Sequence, residues 1–190
     1  MHTPHLALLL GLAAACTDKG DDSGAGTDSG SGDGAVSWSI YPYQTVCNGE
    51  GQWLCPVGQR ATASSWEPIP CGITGLDFAW GVSVDLQAEI TGYSDPAVDG
   101  CGDVWTQLSV ESATFDSAGL AFDLVGVWGE FIEVGEGGGT ALGAPFVCAS
   151  TAVCDLLDTL ISDWSHSYTL SMEVGAAEGD PLVLTGLSEL

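Results

Sequence analysis

Short stretches in which apolar and polar residues alternate recur along this chain and predict β-strands. In 36–40 and again in 82–91, every second side chain is apolar, and the side chains between them are polar or acidic. The other alternating stretches are 104–111, 120–124 and 167–174, and 181–187 is predicted to be a closing strand. Alternation of this kind is typical of antiparallel sheets that have one face in water.

One segment near the C-terminus has helical spacing instead. Its apolar residues fall on one stripe, and they are Val153, Leu156, Leu157, Leu160, Ile161 and Trp164. Ser150 or Thr151 can cap the start, and Asp155 is expected in the first turn, where the helix dipole favours an acid. The glycine-rich stretch 135–139 is predicted to be a loop, without the pattern of a phosphate-binding loop. The predicted class is mainly β, with antiparallel sheets as a sandwich or partly open barrel and one short helix near 151–164.

The chain begins with a short apolar leader that ends on small residues and a cysteine. The apolar run 6–12 is too short to span a membrane, and segment 1–15 is typical of a secretory signal. Cys16 resembles the lipobox cysteine of bacterial lipoproteins, which is acylated, for example with palmitate; the alternative is an ordinary signal cleaved beside a cysteine. Segment 16–34 is rich in Gly, Ser and Asp, which predicts a disordered tether. We therefore expect export and lipid anchoring in a bacterial cell envelope, and Thr17 is compatible with the outer membrane.

The remaining residues have a globular composition and an extreme charge. The whole chain has 26 acidic residues against two basic ones, for a net charge of −24. Nucleic-acid binding is excluded because nothing could neutralise the phosphates, and an anionic membrane surface is disfavoured. The charge leaves three explanations open: a self-repelling soluble surface, a salty habitat, or sites for divalent cations. Segment 35–116 is predicted to be a β-rich domain, which 117–190 either completes or follows as a second small domain.

The number of cysteines agrees with export. Seven cysteines less Cys16 leave six, an even number that implies three disulfides in an oxidising compartment. Nearness in sequence favours the pairs Cys47–Cys55, Cys71–Cys101 and Cys148–Cys154. Zinc is the alternative, but the chain has no Cys-x-x-Cys pair and only His166 beyond the leader. Structural disulfides are therefore favoured.

The middle of the chain resembles a family of unknown function. The residues that carry the resemblance are Cys47-Asn48-Gly49, Cys55, Trp66, the stretch 73–81 and the strand through Leu86. They look like the lipoprotein-associated domain of unknown function 4377, whose pattern has two cysteines, a tryptophan, a glycine turn with aromatic residues and two strands. The resemblance covers 37–113 and departs from the family at Leu76, Pro56 and Gly58. It implies a β-rich fold and a Cys47–Cys55 bridge, and no chemistry.

Two features suggest ligand sites. Asp95, Asp99 and Asp103 recur every four residues among glycines and a proline, and carboxylate oxygens in such a turn suit calcium. The alternative is a plain turn, because turns are rich in Asp and the spacing matches no EF-hand. Trp105 falls on the strand face opposite Leu108 and its apolar neighbours. It is the best candidate for an exposed platform that stacks on a sugar, with core packing as the alternative.

No catalytic constellation stands out. Any Ser-His-acid triad would have to use His166, for which a solvated or capping role is the more ordinary one. Carboxylates are so abundant that no hydrolytic pair is distinguished, and outer strand faces account for Asp85, Glu89 and Glu111. The chain is therefore predicted to be a non-catalytic, envelope-anchored binding or structural module, with a glycan or an envelope protein as partner and no cofactor other than calcium. The alternative is a hydrolase that uses carboxylates or calcium.

Overall fold

Two six-stranded β-sheets make up most of the residues that the computed structural model describes, which are 34–94, 102–161 and 165–190. The strands of the first sheet are β1 (Val36–Asn48), β2 (Gln52–Arg60), β3 (Glu67–Pro68), β4 (Ile73–Thr74), β5 (Val82–Tyr93) and β6 (Asp103–Phe115). The strands of the second are β7 (Ala121–Trp128), β8 (Ile132–Gly135), β9 (Gly138–Ala141), β10 (Ala144–Cys148), β11 (Ser167–Glu173) and β12 (Leu182–Glu189). The helix α1 (Thr151–Leu160) lies between β10 and β11. The predicted mainly β class with one short helix is confirmed.

Hydrogen bonding fixes the order of the strands in each sheet. The first sheet runs β3-β2-β1-β5-β6-β4 and the second runs β7-β11-β12-β10-β9-β8. Neighbouring strands are antiparallel, except that β4 is parallel to β6 and β10 is parallel to β12. Among the described strands neither sheet closes on itself, because β3 and β4 end the first sheet and β7 and β8 end the second.

Two hydrophobic cores hold these sheets. The first core contains Trp38, Ile40, Ile69, Ile73, Val82, Val84, Leu86, Ala88 and Trp105. The second contains Phe122, Leu124, Val127, Ile132, Ala141, Ala144, Phe146, Leu157, Ile161, Tyr168, Leu170, Met172, Val174, Leu182 and Leu184. Tyr43 and Val46 of β1 pack against the second core, and Phe115 packs against both. The described residues therefore form one compact unit, and the predicted boundary after residue 116 marks the passage from the first sheet to the second.

The helix forms where the apolar stripe predicts it, but it is shorter than predicted, and one residue of the predicted stripe faces solvent. Ser150 caps it by accepting a hydrogen bond from the backbone N–H of Val153 at 3.4 Å. Asp155 lies beyond the first turn, so the predicted dipole contact is wrong, and Leu156 of the predicted stripe is exposed. The helix ends at Leu160, and Trp164 lies outside the described residues. No helix in the described part of the chain has both the length and the apolar character that crossing a membrane would require.

The predicted loop at 135–139 is instead a β-hairpin between β8 and β9. Gly137 provides the turn with a positive φ of 75°, and Gly138 and Gly139 belong to β9. A Cβ atom at Gly138 would lie 2.1 Å from the carbonyl oxygen of Phe146, and one at Gly139 would lie 2.0 Å from that of Glu133. These glycines permit a close approach of the neighbouring strands. The glycine-rich composition of this stretch therefore reflects close strand pairing and not a loop.

Two of the predicted disulfides are present. Cys47 of β1 is bonded to Cys55 of β2 across the first hairpin, with Cα atoms 5.9 Å apart. Cys148 at the end of β10 is bonded to Cys154 in α1, which attaches the start of the helix to the preceding strand. Cys71 is also disulfide-bonded, and Cys101, its predicted partner, lies outside the described residues.

Candidate functional site

Trp105 is buried, so the prediction that it forms an exposed platform is wrong. Its side chain is 6% exposed, and its ring lies 5.2 Å from that of Trp38 in an edge-to-face contact within the first core. Leu108, which the alternation placed in the core, is 50% exposed. The register between β5 and β6 shifts three times: β6 has one extra residue at Leu108 and another at Glu111, and β5 has one at Thr91. Such bulges change which face the following residues occupy, and the large indole takes the buried position.

The predicted calcium ligands are only partly within the described residues. Asp103 is the first residue of β6 and is exposed, whereas Asp95 and Asp99 lie outside the described residues. Within 34–94, 102–161 and 165–190, no three His, Cys, Asp or Glu side chains are grouped so that they could hold a metal ion. The calcium site therefore stays a prediction. Cys16, the predicted lipidation site, also lies outside the described residues.

His166 contacts a glutamate at the surface. Its Nδ1 meets Oε1 of Glu189, and the two side chains are 41% and 45% exposed. The contact joins the residue before β11 to the last residue of β12. Nearby, Trp128 and Glu130 line a shallow surface pocket with the histidine. His166 therefore takes part in a surface contact between the ends of two strands.

Arg60 is the one arginine in the described part of the chain, which contains no lysine, and it lies in a pocket beside Trp38. Its Nη2 donates to Oε1 of Glu67 at 3.0 Å, and its guanidinium carbon lies 5.7 Å from the centre of the Trp38 ring. Asp103 and Trp105 also line this pocket. The Nε atoms of Arg60 and Trp38 are buried without hydrogen-bond partners, so a ligand in the pocket could not reach them without displacing their neighbours. Arg60 is thus part of the pocket wall, where it is paired with Glu67.

A wider groove lies on the face that β1 and β5 turn away from the first core. We call it the Trp66 groove. Its volume, which includes the solvent-filled opening, is about 650 Å³. The residues that line it are Ser39, Ile40, Tyr41, Pro42, Trp66, Ser83, Asp85, Asp116, Ser117 and Leu120. It therefore combines aromatic rings, two carboxylates and three serine hydroxyls in one concave surface.

The strand register brings these polar groups together. Ser39 of β1 lies opposite Asp85 of β5, and both alternate with buried residues, so they share the outer face of the sheet. Ser83 lies two residues before Asp85 on the same strand and face. Asp116 directly follows β6, and Trp66 directly precedes β3. Two central strands thus provide the floor of the groove, and two connecting segments provide its walls.

Serine hydroxyls orient Asp85. Its Oδ1 accepts a hydrogen bond from Ser39 Oγ at 2.7 Å, and its Oδ2 accepts one from Ser112 Oγ at 2.9 Å. These bonds cross from β5 to both of its neighbours, β1 and β6. Because a carboxylate oxygen has two lone pairs, each oxygen can accept a further bond from a ligand.

Asp116, which also lines the groove, is oriented by two other serines. Its Oδ1 accepts hydrogen bonds from Ser83 Oγ at 3.2 Å and from Ser117 Oγ at 2.8 Å. In the described part of the chain, no side chain donates to its Oδ2. The groove therefore offers several carboxylate lone pairs as hydrogen-bond acceptors.

A series of aromatic contacts connects Trp66 to the second core. Its ring centre lies 4.5 Å from that of Tyr41, edge to face, and the Tyr41 ring lies 4.9 Å from that of Tyr43. Tyr43 in turn stacks on Phe122 of the second core, with ring centres 5.2 Å apart. Trp66 is 43% exposed, so this aromatic series extends from the core to the surface and ends in an accessible indole.

Sequence reasoning did not assemble this site. Trp66 is singled out only by the family resemblance, and the outer face of its strand accounts for Asp85. Tyr41 and Asp116 carried no recognisable motif. The available signal was the matching alternation around Ser39 and Asp85, which becomes informative only when β1 and β5 are known to be neighbours.

No protein-family model, curated protein or solved structure matches this chain. The resemblance to the domain of unknown function 4377 over 37–113 therefore stays a prediction. The Trp66 groove has to be interpreted from its own geometry.

Proposed function

We propose that this protein is a non-catalytic binding module, exported and anchored in the cell envelope through a lipidated Cys16, that takes a polar ligand in the Trp66 groove. The observation that carries the proposal is the accessible Trp66 ring beside two oriented carboxylates. Small-ligand sites combine aromatic surface with a few fixed polar groups in this way. An envelope glycan, or a segment of an envelope protein, is the partner that fits the expected location.

Binding suits the carboxylates better than catalysis does. Glycoside hydrolysis needs one carboxyl group that gives a proton and a second that acts as base or nucleophile. Both oxygens of Asp85 are already held by serine hydroxyls from neighbouring strands. Such bonds fix the orientation of the group, which is what recognition of a ligand requires.

An exported hydrolase is the second candidate. It is favoured by one observation, that Asp85 and Asp116 line the same groove. Two carboxylates facing one substrate are the minimum that acid–base or nucleophilic cleavage of a glycosidic bond needs. Calcium could be a further element of this alternative if the predicted ligands at 95–103 bind it.

A glycan array read alongside product analysis separates the two candidates. The purified oxidised protein is applied to neutral, acidic and amine-bearing oligosaccharides, and the same oligosaccharides are incubated with it and analysed for shorter products. We expect retention that is lost in Trp66→Ala, kept in Trp128→Ala, and accompanied by no cleavage. Trp128 is the matched control because it is equally exposed, at 43%, and lies outside the groove. Cleavage abolished by Asp85→Asn would overturn the binding proposal in favour of the hydrolase.

The anchor is tested separately from the groove. We expect the wild-type chain expressed in a Gram-negative host to incorporate labelled palmitate and to sediment with membranes. Cys16→Ser should lose both properties, because acyl chains attached to that cysteine are the proposed attachment. Cys71→Ser, which removes a different cysteine, should keep the label. Labelling that persists in Cys16→Ser would overturn the anchor and leave the proposed ligand site unaffected.

A further inference from the structure

We propose that the ligand presents a primary ammonium group to the Trp66 groove, between Asp85, Asp116 and the ring of Trp66. The inference rests on the proposed function, because it names the chemical class of the ligand that the same groove takes. Amino sugars, lysine side chains and ethanolamine head groups share this group.

The first argument is the direction of the hydrogen bonds in the groove. The hydroxyl protons of Ser39, Ser83 and Ser117 all donate to the two carboxylates. The serine and aspartate side chains of the groove are left with acceptors only, namely carboxylate and hydroxyl lone pairs. A sugar hydroxyl has to find both donors and acceptors, whereas an ammonium group donates three hydrogen bonds and accepts none. A groove rich in hydrogen-bond acceptors is therefore complementary to an ammonium group.

The second argument is charge. Asp85 and Asp116 bring two negative charges to the groove, and the side chains that donate hydrogen bonds to them are uncharged serines. The described chain contains one arginine, Arg60, and it is paired with Glu67 in a different pocket. The whole chain carries a net charge of −24, so its field concentrates cations and repels anions. An anionic ligand would add a third uncompensated charge to this groove.

The third argument is the aromatic wall. Tyr41 and Trp66 meet edge to face at 4.5 Å, and Trp66 has an accessible surface at the groove. A cation near the face of an indole is attracted by the ring quadrupole, most strongly for tryptophan. A quaternary ammonium ion would share this attraction but could not donate to the carboxylates. The combination of aromatic ring and acceptors therefore favours a primary ammonium.

Matched pairs of probes test the inference. NMR titration of the ¹⁵N-labelled oxidised protein, in mildly acidic buffer of fixed ionic strength, compares glucosamine with glucose and Nα-acetyl-lysine amide with Nα-acetyl-norleucine amide. Ethanolamine, compared with ethanol, represents the ammonium end of the lipid head group. A charge-assisted hydrogen bond corresponds to an affinity ratio of about tenfold or more, so each ammonium probe should bind at least about tenfold more tightly than its neutral counterpart. The probe with the highest affinity identifies the source of the ammonium.

Variants locate the effect. We expect Asp85→Asn and Asp116→Asn each to weaken ammonium binding by about tenfold, while their thermal midpoints show that they fold. Asp123→Asn is the matched control, because Asp123 accepts a bond from Ser171 Oγ at 2.8 Å in the same way but belongs to the second sheet. It should leave the affinity unchanged, and added salt should weaken binding to the wild type.

The outcomes distinguish this inference from the proposed function. Binding that depends on Trp66 but is equal for glucose and glucosamine would overturn the ammonium assignment and keep the binding module. Equal losses in Asp123→Asn and Asp85→Asn would also overturn it, because the effect would then be one of net charge. Absence of any Trp66-dependent binding to all the probes and to the array would overturn both.

Discussion

Gln52 connects the two sheets, and replacing it with leucine is predicted to lower the free energy of unfolding by about 2 kcal/mol. The residue is 8% exposed, and it is the only buried residue with a polar or charged side chain in the described part of the chain, apart from Tyr168 in the core. It lies at the start of β2 in the first sheet. Its amide reaches the edge of β7 in the second sheet, at the point where Gly126 adds a residue to that strand.

The magnitude follows from three hydrogen bonds. Nε2 of Gln52 donates to Gly126 O at 2.7 Å and to Asn48 Oδ1 at 2.8 Å, and Oε1 accepts from the backbone N–H of Trp128 at 2.8 Å. At about 1 kcal/mol of net stabilisation for each bond, the three contribute about 3 kcal/mol. A leucine of similar size returns about 1 kcal/mol through its additional apolar surface. The difference is the predicted loss.

The assay is equilibrium unfolding in urea of the oxidised wild type and variants, with the free energy extrapolated to water. Gln59→Leu is the matched control, because Nε2 of Gln59 makes a single bond, to Ala63 O at 3.0 Å within its own hairpin. The control should lose less than about 1 kcal/mol. Equal losses in the two variants, or an unchanged Gln52→Leu, would refute the reasoning and show that apolar contacts alone join the sheets.

Two further predictions concern packing and can be measured in the same unfolding experiment. Leu157→Ala, at a fully buried helix position, should lower the free energy of unfolding by about 2–5 kcal/mol. Leu156→Ala, on the exposed side of the helix, should lower it by less than about 0.5 kcal/mol. Similar losses in the two variants would contradict the observed orientation of α1. Gly81→Ala, where φ is +83° and the new Cβ would lie 2.4 Å from the Phe115 ring, should cost about 2–4 kcal/mol. Gly119→Ala, with φ at +70° and open space, should cost only about 1–2 kcal/mol, and equal values would assign the whole effect to backbone strain.

The fold could be predicted where side-chain alternation is uninterrupted. Along the first part of β1 and along residues 82–88 of β5, residues such as Trp38 and Leu86 are buried as their positions indicate, whereas Ile90 is exposed. In β6 the same reasoning fails at Trp105 and Leu108, because extra residues in both β5 and β6 interrupt the pairing of the two strands three times. A bulge depends on the partner strand, so a pattern taken from one strand does not reveal it.

Glycine caused a further error, for a related reason. Gly58, where the chain departs from the family pattern, lies within β2, where a Cβ would come 2.8 Å from Ile69 Cδ1. Gly138 and Gly139 looked like part of a loop and belong to β9. In each case the glycine is present because another segment approaches closely. Composition indicates that a side chain is missing but not which neighbour requires its absence.

The Trp66 groove was harder to predict than the fold because each of its parts is ordinary by itself. Ser39 and Asp85 are 46 positions apart, and their hydrogen bond exists only because β1 pairs with β5 in one register. In a chain with 26 acidic residues, no single carboxylate is conspicuous. What distinguishes Asp85 is that serines from both neighbouring strands fix it beside an aromatic ring anchored in the core. The chemistry of the groove therefore arises from strand pairing, and a one-residue shift of β1 against β5 would move Ser39 away from Asp85 and remove it.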